Sequence, residues 1–155
     1  MKAIQRLDLS TIQLKDILVP VNGSQASMDA LSLACLLAKR NKGKVYAVYV
    51  IEVARALPLD ADLSPEAGKG EEVLAKAEKL AGSMDSQVTG ELLQARDAGH
   101  AIVDEAIERD VDGIIVGIDD KDVGEFQTGT TSRYVLRNAP CRVVLLRSAH
   151  GVEAE

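Results

Sequence analysis

The sequence predicts an α/β domain: an open, five-stranded parallel sheet flanked by helices on both faces. Three observations carry this. Five short runs rich in Val, Ile and Leu alternate with segments whose apolar residues recur at helical spacing, in the order strand–helix four times and then a strand. The chain is 46% hydrophobic with no Trp, one Phe and three Tyr, so its core must be aliphatic, as parallel strands buried on both faces require. Finally, 155 residues fit a single domain, without an internal repeat, a low-complexity tract or a dividing linker. Right-handed crossovers follow from the alternation. The domain is expected over 15–148, with an extension at 1–14 and a tail at 149–155.

The first strand is read at 16–21 (DILVPV), a continuous apolar run that stops at Asn22-Gly23-Ser24. A helix over 27–40 follows, with Met28, Leu31, Ala34, Cys35, Leu37 and Ala38 on its apolar face, Ser27 as its N-cap and Gly43 beyond its end. The second strand, 44–51 (KVYAVYVI), is β-branched and aromatic. A long connection over 52–68 contains Pro58 and Pro65 and reads either as a lid or partner surface or as a tolerated insertion.

The second helix, 71–81, places Val73, Leu74, Ala77, Leu80 and Ala81 on one face, and Gly82 ends it. In the third strand, 87–95, Gly90 suggests a bulge or an edge position. The third helix, 100–109, is expected to bury Ile102, Val103, Ala106 and Ile107 and to turn Asp104, Glu105 and Glu108 to water. The fourth strand is 114–117 (IIVG). A polar stretch over 118–128 leads to a last helix over 129–138, closed by Pro140 before the fifth strand, 141–147 (CRVVLLR).

The formal charge of −6 and pI near 5.0 exclude a phosphate backbone or an anionic membrane as partner, since either needs a clustered basic face. Cys35 and Cys141 show neither a CxxC pair nor metal-ligand spacing and read as free thiols. No run approaches membrane-spanning length and no secretory leader is recognisable, so a cytoplasmic location is expected. Hydrolase and transferase readings lack a nucleophile beside a base: His100 follows Gly99 near a helix start and reads as a solvated surface histidine, and His150 lies in the tail. The GxxxxGK[ST] and GxSxG patterns are missing as well. The phospho-accepting response-regulator arrangement needs acids after the first strand and Lys after the last, where this chain has Asn22 and Arg147. A non-enzymatic protein is expected.

In an open parallel sheet a ligand binds beyond the carboxyl ends of the strands where strand order reverses, which singles out the loops at 22–26 and 117–131. The second ends in Gly129-Thr130-Thr131-Ser132 at a helix start, where backbone N–H groups, the positive helix end and three hydroxyls suit an anion. The same residues also read as an ordinary hydroxyl-capped helix.

Four segments, ILVPVNGS (17–24), AVYVIE (47–52), DAGHAIVDEAIERDVDGIIVG (97–117) and GTTSRYVLRNAPCRVVLL (129–146), together resemble the universal stress proteins. The likeness runs over nearly the whole chain from Asp16 and is strongest in the closing stretch. It implies a Rossmann-like, adenine nucleotide alpha hydrolase-like fold and a non-catalytic stress-response regulator with a crevice for an adenine nucleotide, ATP or AMP, Mg²⁺ accompanying ATP. The family pattern carries over to Val21 and Asn22 after the first strand, Val50 on the second, Val116 and Gly117 on the fourth, and Gly129, Thr130 and Thr131 toward the phosphates. It also places the fifth strand at a sheet edge and implies a homodimer in which two such edges pair through Val143, Val144, Leu145 and Leu146. The alternative is an edge covered by residues 4–12.

The chain departs from the nucleotide-binding pattern in that Asp120 stands where the middle glycine is expected, and the 117–129 segment is one residue short. Asn22 replaces a usual Asp, a mild change. The loop acids Asp119, Asp120, Asp122 and Glu125 face only Lys121. Each uncompensated carboxylate about 10 Å from a phosphate costs roughly 1–2 kcal/mol at an effective dielectric near 20, before screening. About three such terms erase a micromolar affinity. The run 124–143 (GEFQTGTTSRYVLRNAPCRV) is also similar to universal stress proteins associated with amino-acid permeases, which lack the glycine-rich signature. A second reading therefore stands beside the first: a protein that does not bind ATP and acts as an interaction module for a transporter or another stress component.

Overall fold

In the computed structural model, which describes residues 13–119 and 129–149, five strands and four helices alternate along the chain. They are β1 (Ile17–Pro20), α1 (Gln25–Asn41), β2 (Val45–Glu52), α2 (Ser64–Ser83), β3 (Val88–Ala95), α3 (Ala98–Arg109), β4 (Gly113–Ile118), α4 (Thr130–Asn138) and β5 (Arg142–Arg147). The strands form one all-parallel sheet in the order β3-β2-β1-β4-β5. The order reverses at β1, so the switch point lies between β1 and β4, and β3 and β5 are the edges.

Strand alternation explains why the central runs are apolar throughout. Ile17, Val19, Val45, Ala47 and Ile115 face α1 and α2, and Leu18, Val48, Ile114 and Val116 face α3 and α4. Ile17, Leu18, Val19, Ile114 and Ile115 lose all exposure. Residues of a two-faced strand have no solvent side to be polar on.

Three local expectations are corrected. The N-cap of α1 is Ser24, not Ser27, and its side chain accepts from the Ser27 amide. The second helix begins at Ser64 and absorbs the end of the predicted 52–68 connection, leaving 53–63 as the loop. Pro65 sits in the first turn, where a missing N–H costs nothing. Gly70 inside this helix permits close packing, for a Cβ there would stand 2.5 Å from Leu92 Cδ1. The remaining loop is held to β3, with Gln94 Nε2 donating to the carbonyls of Leu59 (2.9 Å) and Ala61 (3.2 Å). Gly90 makes no bulge: the register with β2 runs unbroken through Ala47↔Gly90, and of the two readings the edge position holds.

The third helix buries Ile102, Val103 and Ala106 and exposes Asp104 and Glu108 as expected, but two positions are exchanged. Glu105 is buried and Ile107 is 57% exposed. Arg109 supplies the reason, since its guanidinium pairs with Glu105 and with Glu91 of β3 and lies 4.8 Å over the Tyr46 ring. Burial, with Glu108 adding repulsion, still pushes the Glu105 carboxyl up. Residues 1–12, 120–128 and 150–155 lie outside the described residues, and with them the expectations placed on 4–12, on Asp120, Lys121, Asp122 and Glu125, and on His150.

Candidate binding crevice

Three helices begin around the carboxyl end of the sheet at the switch point, and between them lies a crevice of about 340 Å³. All eight residues singled out from the sequence line it: Val21, Asn22, Val50, Val116, Gly117, Gly129, Thr130 and Thr131. Its walls are apolar on the side of β1, β2, β4 and α3, where Val21, Val48, Val50, Val116 and Ile102 meet. They are polar where α4 starts. Pockets that hold small organic ligands have this mixture, with volumes of roughly 300–1,000 Å³.

The α1 side is internally satisfied. After β1 the chain turns through Asn22, whose Oδ1 accepts from the Ser24 amide at 2.9 Å. Ser24 Oγ accepts from the Ser27 amide at 3.1 Å, Ser27 Oγ donates to the Ser24 carbonyl at 2.9 Å, and the Asn22 amide donates to Ser27 Oγ at 3.3 Å. Asn22 thus uses its side-chain acceptor locally and keeps its NH₂ donors for the crevice.

Gly117, the penultimate residue of β4, lies directly against this turn. A Cβ there would stand 2.1 Å from the Ala26 carbonyl oxygen and 2.7 Å from the Ser27 amide nitrogen. The glycine is therefore required by the approach of β4 to α1, in addition to lining the crevice.

The α4 side is built differently. Gly129 is the N-cap and makes no side-chain cap, so Thr130, Thr131 and Ser132 are the first helical residues and not a hydroxyl cap. The first-turn amides and the positive end of the dipole face the crevice mouth, as an anion would need. Asp97 caps α3, accepting from the His100 amide at 3.0 Å and pairing with His100 Nδ1 at 2.9 Å. These bonds, the His100 side chain first, hold the Asp97 carboxyl below its ordinary value. His100 is exposed as expected, and its ring also lies 3.9 Å from that of Tyr134 on α4.

Sequence reasoning missed Pro20, Ser27, Val48, Glu52, Ala98 and Ile102. Glu52 matters most, because it brings a carboxylate to the rim, where Oε2 accepts from the Ala98 amide at 3.4 Å. Its place was legible: Val48, Val50 and Glu52 step by two along β2 and share a face. Among the described residues no group of three or more His, Cys, Asp or Glu side chains converges on a metal site, and no helix is long and apolar enough to cross a membrane. Cys35 is buried and Cys141 half-buried, both as free thiols whose ionisation burial disfavours.

The universal stress protein family profile matches residues 13–147. A universal stress protein of Methanocaldococcus jannaschii is 30% identical over 140 residues, covering 86% of this chain and 82% of that protein. Among solved structures, the universal stress protein UspA of Lactobacillus plantarum is 26% identical with a TM-score of 0.70, covering 87% of this chain and 99% of the other. A universal stress protein of Archaeoglobus fulgidus shares the fold at 22% identity and a TM-score of 0.71, covering 90% and 98%. With the profile spanning the whole sheet and the crevice formed where the resemblance put it, the chain belongs to the universal stress protein family.

Proposed function

We propose that the crevice binds an adenine nucleotide, with AMP preferred over ATP, and that the protein is a non-catalytic regulator responding to that ligand. The observation that carries the reading is the pairing, within one crevice of about 340 Å³, of an apolar wall with a helix start that has no side-chain cap. A ligand with a flat apolar end and a compact anionic end satisfies both. Solved members of the fold include complexes with dAMP, with AMP and with cAMP.

The charge of the site supports the monophosphate. Glu52 stands on the rim and Asp119 follows β4, so each added phosphate charge adds to the repulsion from these carboxylates. With ATP, Mg²⁺ is needed to offset that repulsion.

The non-catalytic part of the reading rests on His100. It is the imidazole within the described residues, 61% exposed in its side chain and engaged with Asp97 and the Tyr134 ring rather than with a nucleophile.

Isothermal titration of the full chain with AMP, ATP, and ATP with Mg²⁺ tests the proposal. Heat with AMP that is lost in Thr130→Ala, and weaker heat with metal-free ATP, is the expected result. No heat with any adenine nucleotide overturns it and leaves the interaction-module reading, with a transporter or another stress component as partner.

The regulator is further proposed to act as a homodimer through β5. That strand is an edge, and Val143, Val144, Leu145 and Leu146 stay only half-buried on it. An apolar edge with free backbone donors and acceptors needs a cover. Light scattering should return twice the chain mass; a monomer at micromolar concentration rejects this part.

A further inference from the structure

At the opposite end of the sheet, beyond the C-terminus of α1 and the start of β2, lies a second cavity of about 530 Å³, larger than the crevice. Lys39, Lys42, Lys44 and Arg109 line it, with Asp85 as the only acid in its lining. A chain of formal charge −6 thus gathers four cations and one anion around one concavity. Its charge opposes that of the molecule.

The cations are not equivalent. Arg109 is matched by Glu91 and Glu105 and held over Tyr46, so it shapes the wall without adding net charge. The lysines carry the attraction. Lys39 donates to the Met84 carbonyl at 3.2 Å and keeps two further donors. Complementing the α1 dipole accounts for Lys39 and its neighbour Arg40 in the last turn. It does not account for Lys44 on the approach to β2, nor for Thr89, which adds a hydroxyl to the same lining.

We propose that this cavity binds a compact multivalent anion of the oligophosphate class. The inference is independent of the adenine nucleotide reading, since the two sites lie at opposite ends of the strands. A small multivalent anion can be reached by three lysines that line one concavity, whereas a nucleic acid needs an extended basic face.

The test is titration of the full chain with sodium tripolyphosphate at low and high salt. Lys42→Glu with Lys44→Glu removes two exposed lysines, and Lys69→Glu with Lys76→Glu makes the same charge change on the exposed face of α2. Circular dichroism verifies that both remain folded. Expected are measurable binding that weakens with salt, a loss of about tenfold or more in the Lys42/Lys44 variant and less than about threefold in the Lys69/Lys76 variant. AMP affinity in the Lys42/Lys44 variant should stay near wild type. No heat with the wild-type chain overturns the proposal, as do equal losses in the two variants. Loss of tripolyphosphate binding in Thr130→Ala overturns it too, by moving the anion to the crevice.

Discussion

The helix starts of α1 and α4 face the same crevice and are built in opposite ways. At α1 the Ser24, Ser27 and Asn22 side chains bond back to the turn, and Gly117 of β4 is pressed against the Ala26 carbonyl. At α4 the cap is Gly129, which has no side chain to give. The first start is closed and serves as scaffold, whereas the second lacks a side-chain cap and is the one proposed to receive the phosphate. A helix N-terminus becomes a binding element by leaving out the cap that would stabilise it.

The scaffold half is broken most severely at Gly117. Gly117→Val puts a branched side chain where even a Cβ would be 2.1 Å from a backbone oxygen, so β4 and α1 must separate. A loss of about 3 kcal/mol is expected by equilibrium urea unfolding, at the upper end of overpacking costs because the obstacle is main chain. A loss below about 0.5 kcal/mol would mean that the β4–α1 approach is loose and that this glycine serves the ligand alone.

The binding half is sharpened by Thr131→Asp, which gives α4 a carboxylate in its first turn. Helix stability should rise by about 0.3–1 kcal/mol through the dipole, while AMP affinity falls about tenfold, because the added charge competes with the phosphate. Ser24→Ala is the mirror experiment. It should lower stability by about 1 kcal/mol and leave AMP affinity within about twofold of wild type. Thermal unfolding with and without AMP reads both; if the two substitutions move stability and affinity in the same direction, the division between scaffold and site is wrong.

Much of this was legible in the sequence because it depends on period and punctuation. The five apolar runs, the two edges and the eight crevice residues named from the sequence follow from strand alternation, from loops at strand ends and from the family words in 17–24, 47–52, 97–117 and 129–146. What escaped depends on contacts between distant segments. Glu105 reads as a surface acid until Arg109, Tyr46 and Glu91 are brought beside it, and Ile107 reads as core because a helical period alone has no fixed phase. Gly70 and Pro65 concealed the first two turns of α2, for a glycine's low propensity is visible in sequence and the approach of Leu92 that rewards it is not. Glu52 was passed over as the start of a connection, although its spacing from Val50 already placed it on the crevice face.

The third helix start at the crevice offers the finest test of the comparison, because its cap can be titrated. Asp97 closes α3 by accepting from the His100 amide and side chain, and those bonds hold its folded-state carboxyl below the ordinary value. A depressed folded value means that the unfolded chain takes up the proton first as pH falls. The cap's contribution is therefore full above the ordinary aspartate range and is lost as pH drops from there through the folded value. Asp97→Asn keeps a capping oxygen and abolishes the titration, so the difference in thermal midpoint between wild type and variant should narrow over that acid window and stay constant above it. The effect is small, since the carboxylate is 55% exposed and solvent screens it. A difference that stays flat through the acid range would show that His100 does not hold the carboxylate in solution. The α3 start would then group with α4 and not with the closed α1.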